Sequence, residues 1–101
     1  MSDANREITV RLDSEQSRYV AEVDGEQAGV CQFRDEDGVW TITHTVVDEA
    51  FEGMGIGSKL ARAALDGARE HGRKVVAQCT FVKAYVRKHD DWNDILIADE
   101  Y

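Results

Sequence analysis

The chain contains no proline, no internal repeat and no low-complexity stretch, so nothing in it marks a linker between two folding units. Its 101 residues therefore read as one domain, 1–101, with a modest core. No apolar run approaches the ~20 residues that cross a bilayer, which leaves no membrane partner. The opening MSDANREITV has neither the basic nor the apolar section of a signal peptide, so a cytoplasmic location is expected. Cysteine is scarce: Cys31 and Cys79 stand far apart, outside any C-x-x-C and without a histidine pair nearby. That spacing indicates no metal site, and a cytosolic disulfide is disfavoured, so both are read as free thiols. For Cys31 simple burial as a small hydrophobe is the ordinary role. Basic charge is also in short supply, with 12 Lys and Arg against 20 Asp and Glu and a net charge of −8. A phosphate-seeking nucleic-acid binder needs the opposite balance.

What is present is a soluble globular composition, 43% apolar and 32% charged, with an uneven distribution of charge. Residues 1–52 carry 4 basic and 13 acidic side chains, residues 53–89 carry 8 and 2, and residues 90–101 carry none and 5. The central block is either a solvated helix face or a local positive field suited to a small polyanion.

Hydrophobic periodicity divides the chain into elements. EITVRLD (7–13) alternates as a strand does, and RYVAEVDGEQAGVCQF (18–33) reads as two strands meeting at Asp24-Gly25. RDEDG (34–38) is a second turn, and VWTITHTVV (39–47) is a β-branched and aromatic strand. These four strands form an antiparallel meander. From Gly57 to His71 the period becomes helical, through Leu60, Ala64, Leu65 and Ala68, and Gly72 supplies the stop. KVVAQC (74–79) is a strand expected at the centre of the sheet. TFVKAYVRKH (80–89) is a last helix with Thr80 as its N-cap. Strand, helix and strand imply parallel pairing through a right-handed crossover. The fold class is α+β: a meander, one βαβ unit and a C-terminal helix.

FEGMGIGSKL (51–60) concentrates Gly53, Gly55 and Gly57 ahead of that first helix. A Walker A loop needs G-x-x-x-x-G-K-[ST], but Ser58 stands at the second glycine and Leu60 follows Lys59. The dinucleotide fingerprint G-x-G-x-x-G also ends on Ser58, and it belongs after a first strand with a parallel sheet still to come. What remains is either a tight turn or a pyrophosphate cradle. In the cradle, backbone N–H groups meet the anion at the positive end of the helix dipole, with Ser58, Lys59 and Arg62 nearby.

HTVVDEAFEGMGIGSKLARAAL resembles motif A of the GNAT superfamily of N-acetyltransferases, which bind acetyl-coenzyme A through R/Q-x-x-G-x-G/A. GRKVVAQCTFVKAYVRKHDDW is similar to the small stand-alone YjdJ-like GNAT proteins, with His-Thr before the glycine loop and Cys-x-Phe after the next strand. The resemblance covers residues 19–92. It implies a single GNAT-like domain that transfers an acetyl group from acetyl-coenzyme A to an amine. It further implies that Gly53, Met54, Gly55, Ile56, Gly57, Ser58 and Lys59 hold the pyrophosphate, while the backbone of Thr45, Val46 and Val47 pairs with the pantetheine arm. Tyr85 falls where many members place a tyrosine acid. Two departures stand out: Glu52 replaces the arginine or glutamine at the first motif position, and the two early helices that shape the acceptor pocket are missing.

Acetyl transfer requires a deprotonated nucleophile, a polarised thioester carbonyl and an acid for the departing thiolate. His44 is a candidate base, on a strand face expected to include Trp40, Ile42 and Val46, where core packing is its rival role. Cys79, at the end of a strand just before a helix, is a candidate for reactive thiolate, binding group or inert side chain. Tyr85 shares its helix face with Val82 and Val86, so packing competes there too. The alternatives to an enzyme are a non-catalytic acetyl-coenzyme A-binding sensor, which needs only the loop, and a structural interaction domain, which needs none of these residues. The acidic N-terminal block favours a cationic amine acceptor.

Overall fold

The computed structural model describes residues 7–97, in which β1 (Ile8–Asp13), β2 (Arg18–Val23), β3 (Glu26–Glu36), β4 (Val39–Val47) and β5 (Lys74–Ala77) form one sheet. The strand order is β1-β2-β3-β4-β5, antiparallel through β4 and then parallel between β4 and β5. Two hairpins are closed by Asp-Gly pairs with both φ values positive: Asp24 at 52° with Gly25 at 86°, and Asp37 at 55° with Gly38 at 78°. Such turns match the right-handed twist of the flanking strands. Because Asp37-Gly38 alone completes the second turn, β3 runs on to Glu36 and the turn is shorter than RDEDG.

β5 lies at an edge of the sheet, not at its centre. Its outer side is covered by the C-terminal segment, where Val75 N donates to Ile95 O at 2.8 Å and Ile97 N donates to Val75 O at 2.9 Å. A short covered strand leaves little edge for unwanted pairing.

One irregularity determines which β4 side chains face the core. Phe33 pairs with Ile42, but the next residue back, Gln32, pairs with His44, so Thr43 is an extra residue in β4. A bulge of this kind reverses the alternation beyond it. Trp40 and Ile42 point inward and are 2% and 0% exposed, whereas beyond the bulge Thr45 is opposite buried Cys31 and Val46 is 57% exposed.

Helix α1 (Ile56–Glu70) begins one residue before its expected start and lays Ile56, Leu60, Ala61, Ala64, Leu65 and Ala68 against the sheet. It stops at Gly72, φ 70°, after His71 N donates to Gly67 O at 2.9 Å. Gly67 is in mid-helix for steric reasons, since a Cβ there would lie 1.7 Å from the Tyr19 hydroxyl. Burial of Tyr19 raises its phenol to about 12, so it stays neutral under the helix. Helix α2 (Thr80–Lys88) buries Val82 and Val86, and its N-cap is Cys79 rather than Thr80. Cys79 has the extended backbone of a cap, φ −72° and ψ 129°, but no side-chain capping bond.

The chain then turns through Asp90–Trp92 and is tied to α1. Trp92 Nε1 donates to Asp66 Oδ1 at 2.9 Å, and Arg69 reaches the Asp91 carbonyl at 2.8 Å and the Asp94 carboxylate. Asp66→Ala removes the indole's acceptor while leaving the core untouched. It is expected to lower stability by about 1 kcal/mol, seen as a fall in Tm of roughly 4–8 °C for a domain of this size. An unchanged melting curve would mean that water replaces the carboxylate fully.

Candidate active site

Where β4 ends, Asp48 N donates to Ala28 O at 2.8 Å and the Asp48 carboxylate accepts from Ala50 N at 3.0 Å. That cap winds Glu49–Phe51 into a short 3-10 turn whose Phe51 is buried. The chain is thus anchored immediately before the glycines. Gly53 and Gly55 have φ values of 87° and 77°, and a Cβ on either would meet nothing within 4 Å. Their requirement is conformational, and the space above them is open. Gly57 is different: a Cβ there would lie 2.9 Å from Phe81 Cζ, so it is the crossing point of α1 and α2.

Gly55 is the N-cap of α1 and brings no side chain to cap it. The first helical bond of the turn is Lys59 N to Gly55 O, at 3.1 Å. The N–H groups of Ile56, Gly57 and Ser58 precede it, at the positive end of a 15-residue helix. Gly29 in β3 allows this end to sit close to the sheet, because a Cβ there would be 2.8 Å from Val46 O and 3.3 Å from Ile56 Cγ2.

Beside the turn, β4 has an open edge. Pairing with β5 ends at Ile42–Ala77, and Gln78 N and Cys79 N both donate to Ile42 O, at 2.9 and 3.0 Å. Beyond that point β5 leaves, and no described strand pairs with β4 on this side. The Ala28–Asp48 bond sets the antiparallel alternation, so Val46 and His44 direct their peptide groups to β3 while Thr45 and Val47 direct theirs to the open edge. Of the three residues expected to offer an edge, Val46 is therefore the exception. Val47, Phe51, Glu52, Gly53, Gly55, Ile56, Gly57, Ser58 and Phe81 surround a single cleft of about 250 Å³. Met54 packs against the core, and Lys59, Ser58 and Arg62 line a larger adjoining cleft of about 600 Å³ with Gly55 and Tyr85.

The three residues singled out for catalysis are not gathered in one place. Cys79, 9% exposed, stands between β5 and α2, with its Sγ 3.5 Å from Thr45 Oγ1. His44 does not share the Trp40–Ile42 face: the bulge turns it to the opposite side of the sheet, exposed, with Nδ1 3.1 Å from Thr43 Oγ1. Tyr85 packs against His89 and Trp92, at centroid distances of 4.4 and 5.8 Å. It lines a cleft of about 180 Å³ between α1 and α2 with Ser58, Phe81, Lys88 and His89. Sequence reasoning assigned no role to Phe81, which is 42% exposed and touches both this cleft and the glycine cleft; the available signal is an aromatic two residues after Cys79, within the basic block. It also missed the inward hydroxyl of Thr45, which depends on a bulge that no local pattern announces.

Comparison with known proteins bears on the family and the fold. Residues 18–95 match the family described as GCN5-related N-acetyl-transferase. A protein from Staphylococcus aureus described as GCN5-like superposes with a TM-score of 0.70 and 26% identity, over 92% of this chain and 91% of that one. A ribosomal-protein-alanine N-acetyltransferase from Brucella melitensis biovar Abortus gives 0.59 and 25%, over 83% and 65%. Protein NATD1 of Xenopus tropicalis is 38% identical over 48 residues, which are 48% of this chain and 44% of that protein. The match thus spans less than half of that relative's length.

Proposed function

Because the chain belongs to the GCN5-related N-acetyltransferase family, we propose that residues 1–101 form a minimal acetyltransferase domain that moves an acetyl group from acetyl-coenzyme A to an amine. The observation that carries this reading is the juxtaposition of an uncapped helix start with the free edge of β4. The peptide groups of Thr45 and Val47 offer the pantetheine arm an added-strand partner. The N–H groups at Ile56, Gly57 and Ser58 suit the pyrophosphate, and Gly53 and Gly55 leave room for it. Lys59 and Arg62 add positive charge nearby.

In the transfer itself, the amine nitrogen attacks the thioester carbonyl, the carbon–sulfur bond breaks, and the proton the nitrogen loses on becoming an amide balances the one the coenzyme A thiolate takes up. Cys79 is the group at the end of the open edge. It serves either as the proton donor to that thiolate or as the first acceptor of the acetyl group, which then passes to the amine. His44-Thr45 and Cys79-Thr80-Phe81 favour the small stand-alone YjdJ-like branch of the family, and the acidic N-terminal block favours a cationic acceptor. A binding-only role has one observation in its favour, the placement of His44 on the opposite face. Release of free coenzyme A in the presence of a panel of primary amines decides between them: no release with any amine, despite tight binding, means a sensor.

Glu52 lines the glycine cleft, where the carboxylate complements the helix start in the empty protein. With a pyrophosphate bound it becomes a like charge. At about 8 Å and an effective dielectric of ~40 the repulsion is about 1 kcal/mol per phosphate charge. Glu52→Gln is expected to tighten acetyl-coenzyme A binding by a few-fold at low salt, with the gain shrinking as ionic strength rises. Calorimetric titrations at two salt concentrations test it, and equal or weaker affinity at low salt refutes the repulsion.

A further inference from the structure

The bulge at Thr43 delivers a hydroxyl to the place where the two thiols of the chain come together. Thr45 Oγ1 is 3.5 Å from Cys31 Sγ and 3.5 Å from Cys79 Sγ. Cys31, at 0% exposure, belongs wholly to the core, whereas Cys79 is at the N-cap of α2 with no capping bond of its own. The sulfur of Cys79 is thus oriented by Thr45, not by the helix it begins.

Resting on the acetyltransferase reading above, we propose that Thr45 and Cys31 are positioning residues for Cys79, forming a hydroxyl relay whose polarity follows the protonation of the Cys79 sulfur. With Cys79 as a thiol, its S–H donates to Thr45 Oγ1 and the Thr45 hydroxyl donates to Cys31 Sγ. When Cys79 gives up its proton, to the coenzyme A thiolate in turnover or to water in the free protein, the Thr45 hydroxyl rotates to donate to the sulfur anion, and the Cys31 S–H turns to donate to Thr45 Oγ1. Both changes are rotations, and no proton passes between the three residues. The relay needs Cys31 to keep its proton, and burial pushes that thiol up to about 11. β-Branching in a strand also helps hold the Thr45 hydroxyl near one χ1.

Other ionisable groups on the surrounding elements are placed differently. His44 of β4 is on the opposite face, Lys83 follows one turn along α2, and Tyr85 packs against His89 and Trp92. The relay is therefore the route by which the core acts on Cys79.

The test is alkylation of Cys79 by iodoacetamide, followed by peptide mass, together with steady-state kinetics. Alkylation needs no acetyl-coenzyme A and no acceptor. Thr45→Val keeps the branched shape and removes the hydroxyl. It is expected to slow Cys79 alkylation ~10-fold near neutral pH, to move the pH profile of alkylation upward, and to lower kcat with KM for acetyl-coenzyme A unchanged. Thr45→Ser should restore both to within about 3-fold, which a merely structural role would not do. Cys31→Ala, which leaves Thr45 without its closing partner, should slow alkylation about 3-fold. Unchanged alkylation in Thr45→Val, or a Thr45→Ser variant no better than Thr45→Val, overturns the relay. If alkylation responds as expected but no variant acetylates any amine, the relay stands and the acetyltransferase reading falls.

Discussion

Gly55→Val is expected to lose acetyl-coenzyme A binding by ~100-fold or more, about 2.7 kcal/mol. The variant acts twice. At φ 77° a β-branched residue is strained, by about 1–2 kcal/mol or more, so the turn tends to relax and carry the N–H groups of α1 away from the cleft. Its side chain also enters the open space above the turn, where a phosphate would sit. Losing one or two charge-assisted hydrogen bonds, each about 1.5–3 kcal/mol, accounts for the magnitude. Gly25→Val controls for the general loss of stability. Gly25 has φ 86° and equally empty surroundings, but it closes the β2–β3 hairpin and lines none of the clefts described above. Both variants should melt earlier by similar amounts, and Gly55→Val alone should fail in calorimetric titration with acetyl-coenzyme A. Equal affinity in the two would remove the glycine turn from the binding site.

Cys79→Ala is expected to bind acetyl-coenzyme A normally and to turn over at least ~10-fold more slowly, a barrier increase of about 1.4 kcal/mol. Binding survives because the cleft at the glycine turn includes no atom of Cys79. Folding survives because Cys79 makes no side-chain cap to α2, and the Thr45 hydroxyl keeps Cys31 as its partner. Mass spectrometry of the wild-type protein incubated with acetyl-coenzyme A and no acceptor separates the two routes. A protein heavier by one acetyl group at Cys79 indicates the covalent route, and a protein that stays unmodified yet turns over once an amine is added indicates direct transfer. Full activity in Cys79→Ala would reject the thiol altogether and return the chemistry to His44 or Tyr85.

The strands and helices were legible because each is written in local terms. Asp24-Gly25 supplies two positive φ values wherever it lies, and VWTITHTVV is β-branched in any context, so β4 runs over Val39–Val47 as its pattern predicts. The helix after the glycines follows from the 3.6-residue recurrence of Leu60, Ala64, Leu65 and Ala68, and its end follows from Gly72. The family resemblance was legible for the same reason, since a glycine turn feeding a helix start is a short contiguous stretch.

Faces and neighbours were not legible in this way. Strict alternation along β4 puts His44 beside Trp40 and Ile42, but the extra residue at Thr43 exchanges the faces, turning His44 outward and Thr45 inward. A bulge arises from how two strands share their hydrogen bonds, and β4 carries no record of its partner's register. β5 looks central by composition, yet it is an edge strand, and its apolar residues are tolerated there because Ile95 and Leu96 return to cover its outer side. Gly57 and Gly67 look like helix-breaking liabilities until Phe81 and the Tyr19 hydroxyl, distant in sequence, occupy the space their side chains would fill. The sequence by itself thus determined the elements, the glycine turn and the family, all of which rest on backbone conformation and periodicity over a few residues. Only the tertiary structure decided that Cys79 meets Thr45, which also meets Cys31, while His44 and Tyr85 stand elsewhere, because contacts across the sheet depend on register and on side-chain volume contributed by remote parts of the chain.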